Sequence, residues 1–105
     1  MNKTLLASVV WAAFGFQPQA HAAGAIRVML LDGESAGSYH AWQATTPVLK
    51  KELEETGIFQ VEVVTAPPSG GDFSTFHPNF TKCQVIVMNY DAPDERWPES
   101  LKTAF

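Results

Sequence analysis

The chain contains a single cysteine, Cys83, so no disulfide can form within it. Small exported domains usually depend on disulfides, because their hydrophobic cores are limited. The sequence also lacks any Cys and His cluster with the spacing of a structural zinc site. This lack of cross-links predicts that residues 23–105 belong to a larger folded unit.

Basic residues are also scarce. Seven Lys and Arg residues against eleven Asp and Glu residues give a formal net charge of −4. Proteins that bind nucleic acids or anionic lipid surfaces present clusters of basic side chains. The sequence has no such cluster, so we expect no nucleic-acid partner. Its 46% hydrophobic content is otherwise typical of a globular protein.

A long hydrophobic run is missing as well. The apolar stretch at residues 5–16 is shorter than the about 20 residues that cross a bilayer. Lys3 precedes this stretch, and a small-x-small cleavage pattern ends at Ala22, as is typical of a secretory signal peptide. We therefore expect residues 1–22 to be removed and the protein to be periplasmic or secreted. No membrane contact is expected after signal removal.

Three segments have the composition of β-strands. Residues 26–31 and 84–89 are nearly continuous apolar runs, typical of strands that are covered on both faces in a parallel sheet. Residues 59–65 alternate apolar and polar side chains, which predicts a strand nearer the sheet edge. The segment that follows is rich in Pro and Gly and predicts a loop.

One helix is predicted over about residues 47–56, with Thr46 as its N-cap and Pro47 at its first position. Gly57 is expected to end this helix. A further helix is predicted to start after Pro98. Side chains three or four residues apart form the inward face of the first helix: Trp42, Thr46, Leu49 and Leu53.

The order of elements is strand, helix, strand, long loop, strand and helix start. This order predicts an α/β fold with a doubly wound parallel sheet and right-handed crossovers. Three strands make about half of such a sheet, and the chain ends in LKTAF without a C-cap glycine. We therefore expect a sheet that is incomplete at the C-terminus.

Polar and aromatic side chains follow the first and third predicted strands. Ligands of open α/β sheets bind outside the carboxyl ends of the strands, so these side chains are expected to meet in one crevice. The candidate site residues are Asp32, Glu34, Tyr39, His40, Asn89, Tyr90 and Asp91.

We assign the catalytic role to His40. It would act as a general acid and base or as a metal ligand, because imidazole titrates near neutral pH. Asp32 is also assigned to catalysis, since Asp32 and Glu34 can orient His40 or accept hydrogen bonds from ligand hydroxyls. In the structural alternative, His40 caps a loop and Asp32 only accepts from turn amides. A divalent metal such as zinc would need more ligands than His40 alone.

The remaining candidates are assigned to substrate binding. Tyr39 offers a flat face for stacking, whereas Trp42 fits the hydrophobic core better. The group after the third strand is also assigned to substrate binding, and in the structural alternative it only forms a turn: Asn89, Tyr90 and Asp91.

Two further reactive side chains are assigned no role. Cys83 precedes the third strand and therefore lies at the end of the sheet opposite the crevice. His77 is expected in a surface loop.

The sequence around these strand ends resembles the trehalose-utilisation, or ThuA-like, family. The matching segments are LLDGESAGSYHAWQATTPVLKKELEETG, FQVEVVTAPP and VIVMNYDAPDERWP. The resemblance extends over residues 25–105. Its most distinctive parts are Tyr39, His40 and Trp42, then Thr45-Thr46-Pro47, and Asn89-Tyr90-Asp91.

The resemblance implies a flavodoxin-like sheet similar to that of class I glutamine amidotransferases. It also implies a bacterial, often exported protein of disaccharide or keto-sugar metabolism. We interpret the chemistry as hydrolysis or isomerisation of a keto-sugar assisted by His40, with a divalent metal site completed beyond Phe105 as one route. Family membership does not guarantee catalysis, so the alternative is a non-catalytic carbohydrate-binding or accessory module. A true glutamine amidotransferase is the weakest alternative, and it would require a nucleophilic cysteine beyond Phe105.

Overall fold

The computed structural model describes residues 24–105, and the predicted signal peptide at residues 1–22 lies outside this range. None of the helices between residues 24 and 105 is long and apolar enough to cross a membrane. In chain order the elements are β1 (Ile26–Asp32), α1 (Trp42–Glu55), β2 (Phe59–Thr65), a 3-10 turn (Phe80–Lys82), β3 (Val85–Met88), a 3-10 turn (Asp94–Arg96) and α2 (Glu99–Ala104).

The strands form a three-stranded sheet in the order β2-β1-β3. β1 is central, and it pairs in parallel with both neighbours. Flavodoxin-like sheets have the same order for their first three strands. The predicted α/β fold with a parallel sheet is therefore confirmed.

The hydrophobic core lies between β1, β2 and α1. Val28, Leu30 and Val61 are buried in it, and Leu49 and Leu53 of α1 pack against them. Full burial of one such aliphatic side chain contributes about 2 kcal/mol to folding. The central position of β1 explains its nearly continuous apolar sequence, since both of its faces are covered.

α1 begins at Trp42, well before the predicted start near Pro47. The assignment of Thr46 as the N-cap was therefore wrong, and so was that of Pro47 as the first helical residue. Pro47 lies inside α1, where its missing N–H removes one helical hydrogen bond. The start is instead supported from the preceding loop, because Ser35 Oγ accepts a hydrogen bond of 3.3 Å from the N–H of Trp42.

β3 is less buried than its apolar sequence predicted. Within residues 24–105, the side chains of Val85 and Met88 are 41% and 45% exposed, so this part of the chain does not provide the predicted full covering of β3. The reason is that α1 packs on β1 and β2 rather than on β3, which has β1 as its one neighbouring strand among the described residues. Within residues 24–105, β2 lies at the other edge, as its alternating sequence predicted.

Candidate functional site

The carboxyl ends of β1 and β3 lie side by side. The N–H of Asn89, just after β3, donates a hydrogen bond of 2.9 Å to the carbonyl of Leu31. Asp32, the last residue of β1, and Asn89 are both buried, with 1% and 6% of their surface exposed. The structure thus brings two of the predicted site residues together beneath the start of α1.

Four side chains at this point are joined by consecutive hydrogen bonds, and we call them the polar chain: Asp32, Thr46, Asn89 and His40. The Thr46 hydroxyl donates to Asp32 Oδ2 at 2.7 Å. Asn89 Nδ2 donates to Thr46 Oγ1 at 2.9 Å, and Asn89 Oδ1 lies 3.0 Å from His40 Nε2. The polar chain therefore runs from the buried end of β1 to a half-buried imidazole.

Thr45 lies beside the polar chain. Its Oγ1 accepts a hydrogen bond of 2.9 Å from Asn89 Nδ2 and lies 3.4 Å from His40 Nε2. Both threonines were missed as site residues because the helix was predicted to start after them. The helical spacing of Trp42 and Thr46 was the available signal, since it already places Thr46 on the inward face of the helix.

The loop between β1 and α1 is shaped by Gly33. Its φ is +130°, and a Cβ at this position would lie 2.8 Å from the backbone nitrogen of Ala66 and closer still to its carbonyl oxygen. The N–H of Ala66 donates a hydrogen bond of 2.8 Å to the carbonyl of Asp32. The close approach of these two backbones holds Asp32 at the end of β1.

Glu34 is not part of the polar chain. Its two carboxylate oxygens accept hydrogen bonds of 2.7 and 2.8 Å from Nε and Nη2 of Arg96. This bidentate contact with Glu34 raises the pKa of Arg96 above its ordinary value. Arg96 follows Glu34 by 62 residues, so no local pattern could have identified it. The pair ties the loop after β1 to the turn before α2.

Tyr90 and Asp91 belong to a second region. They line a cavity of about 440 Å³ beyond β3, together with Trp97 and Lys102. The rings of Tyr90 and Trp97 lie 5.7 Å apart. Tyr90 OH and Trp97 Nε1 are buried and make no hydrogen bond of ordinary length within residues 24–105. Asn89 is thus part of the polar chain, whereas Tyr90 and Asp91 line the cavity.

The free energy of unfolding is expected to fall at alkaline pH because the buried hydroxyl of Tyr90 resists ionisation in the folded protein. Burial raises the pKa of Tyr90 above its ordinary value of 10, and the charge of Glu34 adds to this shift. The unfolded chain therefore loses its tyrosine proton at a lower pH than the folded protein. The free energy of unfolding should decrease as the pH rises through about 10 and beyond.

Tyr90→Phe tests this pH dependence, because it removes the ionisable hydroxyl and keeps the ring. Urea unfolding at about pH 8 and about pH 11 should show a smaller alkaline loss for Tyr90→Phe than for the wild type. The chain has two tyrosines, so Tyr39→Phe at the 86% exposed position is the matched control. The same alkaline loss in all three proteins would contradict the prediction.

Tyr39 is adjacent to His40 in sequence, but its ring lies in solvent. The structure does not bring it to the polar chain, and Trp42 is half-buried at the first position of α1. The stacking role of Tyr39 stays a prediction. Cys83 lies just before β3, at the end of the strand opposite Asn89, and His77 is exposed, as predicted for both.

The described residues do not by themselves form a metal site. Within residues 24–105, no group of three or more His, Cys, Asp or Glu side chains could hold a metal ion. His40 Nε2 already faces Asn89, and Glu34 is engaged by Arg96. The role of His40 as a metal ligand stays a prediction that requires ligands from outside the described part of the chain.

A parallel sheet with polar side chains at the carboxyl ends of β1 and β3 defines an α/β protein of the flavodoxin-like class. No protein-family model matches the chain, and neither does any curated protein. It is similar to the crystal structure of a protein from Parabacteroides merdae ATCC 43184 that is described as ThuA-like, with a TM-score of 0.68 and 34% sequence identity. The match covers 77% of this chain and 27% of that protein, and it supports the ThuA-like resemblance.

Proposed function

We propose that this chain is the N-terminal part of a ThuA-like domain that acts on a sugar derivative, with His40 as the group that accepts and donates the proton. The ThuA-like neighbour supports a carbohydrate-related role. Hydrolysis and isomerisation of a keto-sugar both require a proton to be moved, and imidazole is suited to this near neutral pH. Export through residues 1–22 belongs to the same proposal.

The observation that carries the proposal is the polar chain. Polar side chains cost free energy when they are buried, unless each finds a hydrogen-bond partner. Asp32, Thr46 and Asn89 are all buried, and their hydrogen bonds lead to an imidazole that remains partly exposed. Asp32 Oδ1 has no hydrogen-bond partner within residues 24–105, whereas Oδ2 accepts from Thr46. Hydrogen bonds among Asp32, Thr46 and Asn89 would be enough to link β1, α1 and β3. The further bond between Asn89 and the partly exposed His40 is not needed for that link, and it supports a chemical role for His40.

Ligand contacts are proposed for two exposed groups, Tyr39 and Asp91. Tyr39 is adjacent to His40 in sequence, and its 86% exposed ring could stack on a sugar. Asp91 is exposed in the second region, after β3. Glu34 is held by Arg96, so a ligand hydroxyl would have to share its oxygens with the guanidinium group. We expect Glu34 to shape the binding surface more than to contact the reacting atoms.

The test uses the full-length protein with trehalose and a keto-disaccharide as substrates and NMR detection of products. His40→Ala is expected to lower the turnover rate by about 10²–10⁴-fold, the usual contribution of a general acid and base. His77→Ala is the matched control, because His77 is exposed in the loop before β3. Equal rates for wild type and both variants would show that His40 does not transfer the proton.

The second candidate is a non-catalytic carbohydrate-binding module, favoured by the exposed ring of Tyr39. In that case calorimetry should detect sugar binding by the wild type without any turnover, and Tyr39→Ala should weaken the binding. Elemental analysis of wild type and His40→Ala addresses metal assistance. Stoichiometric metal that is lost in His40→Ala would make His40 a ligand, with its partners outside the described residues.

A further inference from the structure

We infer that Asp32 and Thr46 are positioning residues that fix the neutral form of His40 with its proton on Nε2, which leaves the lone pair on Nδ1 for the ligand. This inference rests on the proposed function of His40. It assigns a role to two buried side chains that cannot contact a sugar themselves. The argument depends on the number of protons that each group in the polar chain can donate.

The buried end of the polar chain determines which group donates and which accepts in each of its hydrogen bonds. A carboxylate only accepts hydrogen bonds, so the single hydroxyl proton of Thr46 is given to Asp32 Oδ2 at 2.7 Å. Thr46 Oγ1 must then accept its bond from Asn89, which places the amide nitrogen Nδ2 on that side at 2.9 Å. One hydroxyl proton therefore decides the orientation of the Asn89 amide.

The amide orientation in turn decides the form of the imidazole. With Nδ2 directed at Thr46, the carbonyl oxygen Oδ1 of Asn89 faces His40 Nε2 at 3.0 Å. A carbonyl oxygen cannot donate, so Nε2 must carry the hydrogen. Within residues 24–105, His40 Nδ1 makes no hydrogen bond, which leaves it available to a ligand.

Thr45 does not determine this direction. Its hydroxyl lies 3.2 Å from Asn89 Oδ1 and 3.4 Å from the carbonyls of Ala41 and Trp42, so its proton has several acceptors. Thr45 can adjust to either orientation of the amide. Thr46 cannot, because Asp32 takes its only proton. The neighbouring threonines thus form a matched pair for a test.

The experiment is ¹⁵N NMR of the imidazole rings of the full-length protein at about pH 8.5, where histidine is ordinarily neutral. The chain has three histidines, so the His40 signals are assigned by their loss in His40→Ala. In the wild type we expect the hydrogen on Nε2. Free imidazole side chains also favour this form, so the variants decide the question.

Asp32→Asn and Thr46→Val are each expected to increase the population with the hydrogen on Nδ1. In both variants Asn89 is no longer forced to direct Nδ2 away from His40, and it can offer a donor to Nε2. Thr46→Ser keeps the hydroxyl and should retain the wild-type form. Thr45→Val should also retain it, although it makes the same change of shape one residue away.

Three results would overturn the inference: a wild type with the hydrogen on Nδ1, wild-type forms in both Asp32→Asn and Thr46→Val, or a shift of the same size in Thr45→Val. If Asp32→Asn does not fold, Thr46→Val alone tests the inference, because the same shift of the imidazole hydrogen is expected in it. The NMR signals need no substrate, so the two proposals can fail separately. A shift in the variants with unchanged turnover in His40→Ala supports the inference and rejects the proposed function.

Discussion

Gly33→Ala is expected to lower the free energy of unfolding by about 3 kcal/mol or more. Gly33 has a φ of +130°, which side-chain-bearing residues rarely adopt. An added methyl group would also lie 2.8 Å from the nitrogen of Ala66 and closer still to its carbonyl oxygen. Both atoms are backbone atoms, so relief requires β1 and the segment after β2 to separate. Urea unfolding measures the change.

Gly57→Ala is the control that measures the cost of the left-handed backbone conformation without a steric clash. Gly57 has a φ of +74° at the end of α1, where the sequence predicted a terminating glycine, and no atom lies within 4 Å of an added Cβ. A left-handed conformation costs an alanine about 1 kcal/mol without any clash. Equal losses in Gly33→Ala and Gly57→Ala would show that the contact with Ala66 is unimportant.

The contact at Gly33 matters for the site as well as for the fold. Separation of the two backbones would break the bond of 2.8 Å between the Ala66 N–H and the Asp32 carbonyl. Asp32 would then lose the constraint that presents its carboxylate to Thr46. A folded Gly33→Ala protein would therefore be expected to lose the alignment of the polar chain before it loses the sheet.

The strands could be predicted from the sequence because burial leaves a local pattern. The continuous apolar run at residues 26–31 indicated a strand that is covered on both faces, and the alternation at residues 59–65 indicated a strand nearer the sheet edge. The rule for the carboxyl ends of parallel strands also predicted that His40 and Asn89 would lie close together. Their separation of 3.0 Å confirms the proximity and leaves the function as a proposal.

Partners distant in sequence could not be predicted. The N–H of Trp42 at the start of α1 donates to Ser35 in the preceding loop, whereas Thr46 and Pro47 gave a misleading local signal. The contact between Glu34 and Arg96 joins residues that no periodicity relates. Apolar composition likewise could not show which strands neighbour β3, and within residues 24–105 its one neighbour is β1.

The candidate site was predicted as one crevice, but the described residues form two regions. Asp32, His40 and Asn89 meet under α1, while Tyr90 lines the cavity with Trp97. The division falls between the consecutive residues Asn89 and Tyr90, just after the end of β3. A ligand that contacts His40 is therefore expected to depend on Asn89 and not on Tyr90.

Asn89→Ala is expected to destabilise the protein by about 3 kcal/mol, since Asn89 is buried and each of its hydrogen bonds contributes about 1 kcal/mol. It bonds to His40, Thr45 and Thr46, and so connects β3 to α1 and to the loop before it. His40→Ala removes one bond at a half-buried position and should cost about 1 kcal/mol or less. Urea unfolding of both variants provides the comparison.

The two variants separate stability from chemistry. Under the proposed function, His40→Ala removes turnover while the fold is nearly unchanged, whereas Asn89→Ala reduces both. If His40 served only to cap the loop, its removal would change stability and leave any sugar-dependent activity intact. If His40→Ala lowered the free energy of unfolding as much as Asn89→Ala does, the imidazole would be a structural part of the polar chain. The structure favours the first outcome, because His40 is the accessible end of that chain.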